Sequence, residues 1–248
     1  MKPELLVRGA SNLGIALTEC QQAQFLVYFE QLRNWNQRIN LTSVESWHDV
    51  QTVHFLDSIS VSALLELLPR CDVRLLDVGT GAGFPGLPLK IVFPHIGVTL
   101  IESVSKKVRF LRALIDTLGL EGVDVVDMRA EDAGRRPELR EKFDLVVARA
   151  LASIDVFAEL TLPFVRLGGI AVAQKKGNFY TELDDARKGV EVLGGGDYSV
   201  RWLNLMGVKD PRALVSIPKV MVTPDEFPRR VGVPRKRPLR YLQGKVFG

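Results

Sequence analysis

The chain contains 248 residues, of which 33 are Lys or Arg and 29 are Asp or Glu, for a formal net charge of +4. An apolar fraction of 46% with 25% charged residues is ordinary for a globular protein, and it excludes a disordered chain, a collagen-like repeat and a coiled coil. At roughly 150 residues per domain, this length allows one or two domains.

Residues 1–70 have helical patterns and are predicted to form an extension that packs on a core of residues 71–248. Thr18 followed by Gln21 resembles a capping box. A stripe at helical spacing follows, made of Phe25, Phe29, Leu32, Trp35 and Ile39. A second helix is predicted from about residue 50 to residue 68, since Pro69 cannot continue it.

From residue 74 onward, short apolar runs alternate with helical patterns. Strands are predicted at 75–78, 98–102, 123–126, 143–148 and 170–173, with helices at 87–93, 106–118, 154–165 and 181–193. This alternation is typical of βαβ units and of a parallel sheet covered on both faces. Two further strands, 199–205 and 213–217, are joined by a link too short for a parallel crossover, so we expect them to pair antiparallel. The fold class is therefore α/β with a mostly parallel sheet.

A glycine-rich loop follows the first predicted strand and opens a helix. Its glycines are Gly79, Gly81 and Gly83, within the sequence Asp77-Val78-Gly79-Thr80-Gly81-Ala82-Gly83-Phe84-Pro85-Gly86. Glycines allow a sharp turn and let a ligand approach the backbone, because no Cβ intervenes. In such sheets ligands bind beyond the carboxyl ends of the strands. The pattern favours a nucleotide-like ligand over a simple tight turn.

The residues around the loop favour S-adenosylmethionine over a nicotinamide dinucleotide. Asp77 would repel a pyrophosphate, and Pro85 removes a backbone N–H from the helix N-terminus that would bind one. Glu102 ends the second strand, where an acid can accept both hydroxyls of a ribose; this feature is common to both cofactors. A role for Asp77 as a cap of backbone amides remains open.

Several separated motifs resemble the RsmG family, also called GidB. They are the glycine loop, the run 102–111, Ala148-Arg149-Ala150-Leu151-Ala152, Trp35-Asn36-x-x-Ile39-Asn40-Leu41-Thr42, His54-x-x-Asp57-Ser58, and Pro228-Arg229-Arg230-x-Gly232-x-Pro234-x-Lys236-x-Pro238-Leu239. The resemblance covers essentially the whole chain. It implies a class I S-adenosylmethionine-dependent methyltransferase fold, Rossmann-like, with seven strands, an antiparallel last strand and an N-terminal helical extension. It also implies methyl transfer from S-adenosyl-L-methionine to N7 of a guanine in the decoding-region loop of bacterial 16S rRNA.

The resemblance also assigns site residues. The cofactor-binding residues are expected to be Asp77, Gly79, Gly81, Gly83, Phe84, Glu102, Ser103, Val104, Ala130, Glu131 and Arg149. Glu102 with its two following residues would hold ribose and adenine, and Ala130-Glu131 would frame the adenine. Arg149 is the expected catalytic residue, against the alternative of a strand-end ion pair. A family lysine after the fifth strand matches Lys176 or Lys175, and its register stays open.

The implied chemistry needs little acid–base catalysis. Neutral guanine N7 carries an in-plane lone pair, so the protein has mainly to align the reactants and exclude water. Arg149 is always protonated and is expected to position the cofactor or the base. His54 and Asp57 lie three residues apart on one helix face and are interpreted as a core-facing polar pair or a helix cap. No residues have metal-ligand spacing, so we expect no metal.

The C-terminal residues carry the positive charge. Seven of the 33 basic residues and none of the 29 acidic residues lie in 227–248, which leaves the rest of the chain at −3. With Lys106, Lys107, Arg109 and Arg112, this tail is a candidate for contacting RNA phosphates, or it is only a solvated surface. Deleting 227–248 is expected to weaken RNA binding and to spare cofactor binding.

Three other functions remain open: an NAD(P)-dependent oxidoreductase, a non-catalytic ribosome-assembly factor that binds RNA, and methylation of a small molecule or protein. The two cysteines, Cys20 and Cys71, form no disulfide framework, which fits a reducing compartment. No apolar stretch approaches the roughly 18–20 residues of a membrane span, and the N-terminus has no secretory signal. We therefore expect a cytoplasmic monomer whose partner is 16S rRNA or the small ribosomal subunit, with no membrane association.

Overall fold

The computed structural model describes residues 2–67, 72–151 and 153–242, which are built around a seven-stranded sheet. The strands are β1 (Arg74–Val78), β2 (Gly97–Glu102), β3 (Val123–Asp127), β4 (Phe143–Arg149), β5 (Val165–Lys176), β6 (Ser199–Leu203) and β7 (Arg212–Pro218). Their order is β3-β2-β1-β4-β5-β7-β6. The first five strands are parallel, and β7 runs antiparallel to both of its neighbours. The predicted α/β fold and the antiparallel pairing of its last two strands are confirmed.

Helices cover both faces of this sheet. They are α1 (Glu4–Asn12), α2 (Glu19–Ile39), α3 (Gly86–Val92), α4 (Ser105–Leu118), α5 (Ala130–Ala133), α6 (Ile154–Thr161), α7 (Tyr180–Val192) and α8 (Val233–Lys236). The capping box is confirmed: the Thr18 hydroxyl accepts from the Gln21 amide at 3.2 Å, and the Gln21 side chain accepts from the Thr18 amide at 2.9 Å. Asn40 ends α2 in the left-handed conformation, with φ 44°.

The segment 47–67, called the mixed helical segment below, differs from the single helix predicted there. It passes from α-helix (Trp47–Asp49) through a π-helix (Val50–Leu56) and a second α-helical turn (Asp57–Ile59) to a 3₁₀ helix (Ser60–Leu67). Periodicity in the sequence does not distinguish these helix types over a few turns. Pro69 lies outside the described residues.

The helix predicted at 154–165 was too long, and the strand predicted at 170–173 was too short. Helix α6 ends at Thr161, and a 3₁₀ turn (Leu162–Phe164) leads directly into β5. Pro163 has no N–H to donate to the preceding turn, so an α-helix cannot continue through it. Strand β5 then passes through Gly168 and Gly169, where the pairing with β4 shifts register. Glycines in the interior of a strand commonly mark such an irregularity.

The N-terminal helices lie on one face of the sheet and are joined to the glycine loop. Phe25 and Tyr28 of α2 are fully buried in one core cluster with residues of β1 and α3. The Tyr28 hydroxyl donates to the Ala82 carbonyl at 2.6 Å. The Gln21 side chain donates to the Ile91 carbonyl at 2.9 Å. Within the described residues, no helix is both long enough and apolar enough to cross a membrane.

Candidate active site

The glycine loop turns sharply between β1 and α3. Gly79, Gly81 and Gly83 have φ of +69°, +62° and +96°, a region that L side chains seldom adopt. At Gly83 a Cβ would lie 2.5 Å from the Tyr28 hydroxyl, so the closeness of α2 also requires glycine there. The amides of Gly79 and Thr80 donate to the Ile101 carbonyl, which ties the loop to the end of β2.

Asp77 stabilises the glycine loop through hydrogen bonds. It is fully buried, and its Oδ2 accepts from the Thr80 hydroxyl at 2.7 Å and from the Gly86 amide at 2.8 Å. This is the backbone-capping role that the sequence left open. Its Oδ1 is buried without a hydrogen-bond partner. Burial raises the pKa of Asp77 to about 6 despite these hydrogen bonds.

A cavity of about 520 Å³ lies at the carboxyl ends of β1, β2, β3 and β4, the edge at which parallel sheets bind ligands. The predicted cofactor-binding residues that line it are Gly79, Glu102, Ser103, Val104, Ala130, Glu131 and Arg149. The other four do not line it: Asp77, Gly81, Gly83 and Phe84 lie in or behind the loop that forms one edge of the cavity. The structure thus brings seven of these eleven residues to one surface.

Glu102 connects the end of β2 to the glycine loop. Its Oε1 accepts from the amides of Ser103 and Val104, both at 2.8 Å, and its Oε2 accepts from the Gly81 amide at 3.1 Å. These three bonds fix a carboxylate in the cavity wall. A carboxylate has about four acceptor sites, so these three bonds leave one, on Oε2, to accept a hydroxyl of a ribose.

Arg149 ends β4 and lies in the cavity wall, where it is held by the mixed helical segment. Its Nη1 donates to the Val53 carbonyl at 3.1 Å and to Asp57 Oδ2 at 3.2 Å, and its Nη2 lies 3.1 Å from His54 Nδ1. Its guanidinium carbon lies 5.0 Å from the centre of the Phe84 ring. Arg149 therefore makes a strand-end ion pair and also lines the cavity.

His54 acts as a neutral partner of Arg149. Burial, followed by the nearby Arg149 charge, lowers the pKa of His54 to about 4. A guanidinium only donates and a carbonyl only accepts, so the contacts of His54 Nδ1 with Arg149 Nη2 and with the Val53 carbonyl, both at 3.1 Å, favour opposite tautomers; Nε2 lies 2.7 Å from the Thr42 hydroxyl. The spacing of His54 and Asp57 suggested a polar pair facing the core. No local sequence pattern predicts that both residues contact Arg149, because Arg149 is distant in sequence.

We expect His54 to stay neutral down to about pH 4, and ¹⁵N NMR titration of the imidazoles measures this. In the unfolded chain the same imidazole binds its proton near pH 6.5. The unfolded state therefore binds more protons between these values, so the contribution of His54 to stability falls as the pH is lowered through this range. Arg149→Ala should raise the pKa of His54 only partway, because burial is the larger cause. A His54 that titrates near pH 6.5 would contradict the assignment.

The other basic candidates have different surroundings. On α4, Lys107 lines the cavity, whereas Lys106, Arg109 and Arg112 are exposed. At the end of β5, Lys175 donates to Glu182 at 2.6 Å, and Lys176 is exposed. Among the described residues, no group of three His, Cys, Asp or Glu side chains is placed to hold a metal ion.

The C-terminal segment is part of the fold, and this changes the expected result of deleting it. Phe227 is buried, and Arg229 donates to the buried carboxylate of Glu159 at 2.6 Å. Gly232 and Arg235 line the cavity. Deletion of 227–248 would therefore open the core and one cavity wall, and would not spare cofactor binding. Among the described residues of this segment, the exposed basic side chains available to RNA are Arg230, Arg235, Lys236 and Arg237.

Comparisons with known proteins place this geometry in context. A family model, GidB: rRNA small subunit methyltransferase G, matches residues 21–209. A ribosomal RNA small subunit methyltransferase G from Dehalococcoides mccartyi is 47% identical over 234 residues, which cover 94% of this chain and 98% of the relative. The enzyme of that name from Lactobacillus johnsonii is 40% identical over 239 residues, 96% of this chain and 100% of the relative.

A solved structure supports the fold alone. The SAM-dependent O-methyltransferase of Thermotoga maritima matches with a TM-score of 0.50 and 12% sequence identity. The match covers 68% of this chain and 66% of that protein.

Proposed function

The chain belongs to the GidB family, rRNA small subunit methyltransferase G, and we propose that it transfers a methyl group from S-adenosylmethionine to N7 of a guanine in the decoding-region loop of 16S rRNA. The observation that carries this proposal is the position of Arg149. It lies in the wall of the cavity bounded by the glycine loop, and it is fixed by Val53, His54 and Asp57.

The loop suits S-adenosylmethionine better than a dinucleotide. A pyrophosphate needs free backbone N–H groups at the helix N-terminus. Here the amides of Gly83 and Phe84 donate to the Thr80 carbonyl, Pro85 has no N–H, and the Gly86 amide donates to Asp77. These positions therefore have no amide to offer a phosphate, whereas the Glu102 carboxylate suits a ribose. The residues present fit S-adenosylmethionine, and an NAD-dependent oxidoreductase is not favoured.

The proposed chemistry relies on alignment. Bound in the cavity, S-adenosylmethionine supplies a methyl group on a positively charged sulfur. Neutral guanine N7 would form a bond to the methyl carbon with its own lone pair while the sulfur–methyl bond breaks and S-adenosylhomocysteine leaves, so no protein group has to remove a proton before transfer. We propose that Arg149, which stays protonated throughout, orients the base or the cofactor. Neither Arg149 nor its neighbours have to transfer a proton in this reaction.

The proposed substrate is a guanine outside a regular helix. N7 lies on the major-groove edge, and A-form RNA buries that edge in a deep, narrow groove. The target base must therefore be in a loop or be turned out of its stack. Exposed basic side chains on α4 and in 230–237 support the proposal, because they supply positive charge near the cavity that can bind the phosphate backbone of RNA. The proposal includes a cytoplasmic monomer acting on 16S rRNA or the small ribosomal subunit, and light scattering on the purified protein measures its oligomeric state.

The test incubates the full chain and S-adenosylmethionine with small subunits from cells that lack this methylation, and in parallel with protein-free 16S rRNA. We expect one added methyl group on one decoding-region guanine, mapped by mass spectrometry of nuclease fragments. Strand scission with borohydride and aniline, which cleaves at N7-methylated guanine, identifies the atom. A mixture with S-adenosylhomocysteine in place of the donor is the control. Absence of a new methyl group, or a methyl group on another atom, would overturn the proposal.

A further inference from the structure

Residues 229–236, called the tail clasp below, are held beside the cavity by hydrogen bonds at two positions. At one end, the Arg229 amide and guanidinium both donate to Glu159, a carboxylate with 1% of its side chain exposed. Further along, the Gly232 amide donates to Glu131 Oε1 at 2.9 Å. Just before the clasp, Pro228 packs so closely on Gly134 that a Cβ there would lie 2.9 Å from the proline ring. The clasp is thus held against α6, which carries Glu159, and against α5, which follows β3 and carries Glu131.

The part of the clasp at Gly232 lies on the β3 side of the cavity, whereas its Arg229 end binds α6, which follows β4. Glu131 follows β3, whereas Arg149 ends β4, and β2 and β1 lie between these two strands. Glu102, at the end of β2, is the carboxylate that can accept a ribose hydroxyl. The end of the cavity at β3 is therefore the end nearer the base of a nucleoside whose reactive group lies near β4.

Two exposed apolar side chains line this cavity. Val104, just after β2, is 44% exposed, and Val231 of the tail clasp is 47% exposed. A single exposed valine on a convex surface needs no explanation. Two of them in the wall of one cavity, beside a fixed carboxylate, form the mixed apolar and polar lining typical of small-molecule sites. A purine has two flat apolar faces that such side chains can cover.

We propose that the tail clasp forms the outer wall of the adenosine half of the cofactor site, with Val231 packing on the purine and the Glu131–Gly232 hydrogen bond holding the clasp in place. The inference depends on the cofactor named in the proposed function. It adds a binding segment outside residues 21–209, the part of the chain that the family model matches. In this proposal the main role of the clasp is to bind the cofactor, and it contacts RNA only through its exposed basic side chains.

The first test compares Val231→Ala with Val222→Ala in the full chain. Val222 is 60% exposed and does not line the cavity, so it is a matched control. Calorimetry measures the Kd for S-adenosylhomocysteine and for adenosine. We expect Val231→Ala to raise both values by about threefold to fivefold, the effect of losing part of one buried valine side chain. Val222→Ala should leave both unchanged.

The second test displaces the clasp as a whole. Gly232 has φ +78° and Gly14 has φ +77°, and a Cβ at either position meets nothing within 4 Å. Valine is strained at both, so Gly232→Val and Gly14→Val carry the same backbone penalty. Only Gly232→Val should weaken adenosine binding, by about tenfold. Hydrogen exchange of the Gly232 amide should slow on addition of adenosine in the unmodified protein.

The outcomes separate this inference from the proposed function. Unchanged adenosine binding in Val231→Ala and Gly232→Val, or an effect confined to RNA affinity, would contradict the proposed role of the clasp. Neither result would contradict the proposed methyl transfer. Equal losses in Gly232→Val and Gly14→Val would also contradict the role of the clasp, because the effect would then be one of general stability. Normal cofactor binding without any methylated guanine would instead overturn the proposed function and leave the clasp intact.

Discussion

Replacing Arg149 by alanine should lower the single-turnover rate of methyl transfer by about a hundredfold, the cost of misplacing a reacting group by about 1 Å. The guanidinium is fixed by the Val53 carbonyl, Asp57 and His54, and it extends from the end of β4 into the cavity wall. With alanine there, the cavity loses its fixed cation while the glycine loop and Glu102 remain. Transfer of labelled methyl groups to small subunits at saturating cofactor measures the rate.

Arg149→Lys is the matched control. Lysine keeps the positive charge, but its single ammonium group cannot reproduce the planar fork, in which Nη1 reaches Asp57 and the Val53 carbonyl and Nη2 reaches His54. We expect an intermediate rate, with a thermal unfolding midpoint close to that of the unmodified protein. Full turnover in Arg149→Ala would show that the residue serves only the strand-end ion pair. Loss of cofactor binding, with a normal rate at saturation, would confine its role to the cofactor.

Asp57→Ala should lower the free energy of unfolding by about 3–5 kcal/mol, the usual cost of removing one partner from a buried ion pair. The Asp57 side chain is 6% exposed and pairs with two arginines, since Oδ2 accepts from Arg149 and Oδ1 from Arg212, each at 3.2 Å. Burial raises the pKa of Asp57, and the two guanidinium groups oppose that rise. Without the carboxylate, both cations remain partly buried. Urea unfolding followed by circular dichroism measures the change.

Asp197→Ala provides the contrast for this measurement. Asp197 pairs with Arg187 at 3.5 Å, but its side chain is 95% exposed, and such pairs contribute little. We expect no measurable change in the urea midpoint. Asp57→Asn should fall between the two variants, because the amide keeps an acceptor oxygen and loses the charge. A small effect of Asp57→Ala would mean that water solvates the two arginines when the carboxylate is absent.

The sheet and its ligand edge were predictable from local sequence. Alternating apolar runs and helical patterns predicted the order of strands along the chain, and the short predicted link at 206–212, which spans 204–211 in the structure, predicted the antiparallel pair. The loop was predictable because glycine is the residue type that adopts its backbone angles without strain. The end of α6 was predicted wrongly because Leu162, Phe164 and Val165 continue the apolar pattern past Thr161, although Pro163 stops the α-helix.

The surroundings of Arg149 were beyond the reach of sequence patterns. Its partners Val53, His54 and Asp57 are 92 to 96 residues away along the chain. Contacts at that separation depend on how the mixed helical segment packs on the sheet, which no spacing rule encodes. The tail was predictable in its charge but not in its contacts, because the Arg229–Glu159 pair also joins distant segments.

Because the mixed helical segment contains a π-helix, the contacts it makes depend on the number of residues in this part of the chain as well as on their identity. A π-turn holds one more residue than the α-turn that it replaces. Deleting residue 55 or 56 would shorten the spacing between His54 and Asp57 from three residues to two, and side chains two residues apart point about 200° apart around an α-helix. Val53 and His54 would then no longer meet Arg149 on the same side as Asp57. Conservative substitutions within 50–56 should thus be tolerated more readily than any change in the number of residues.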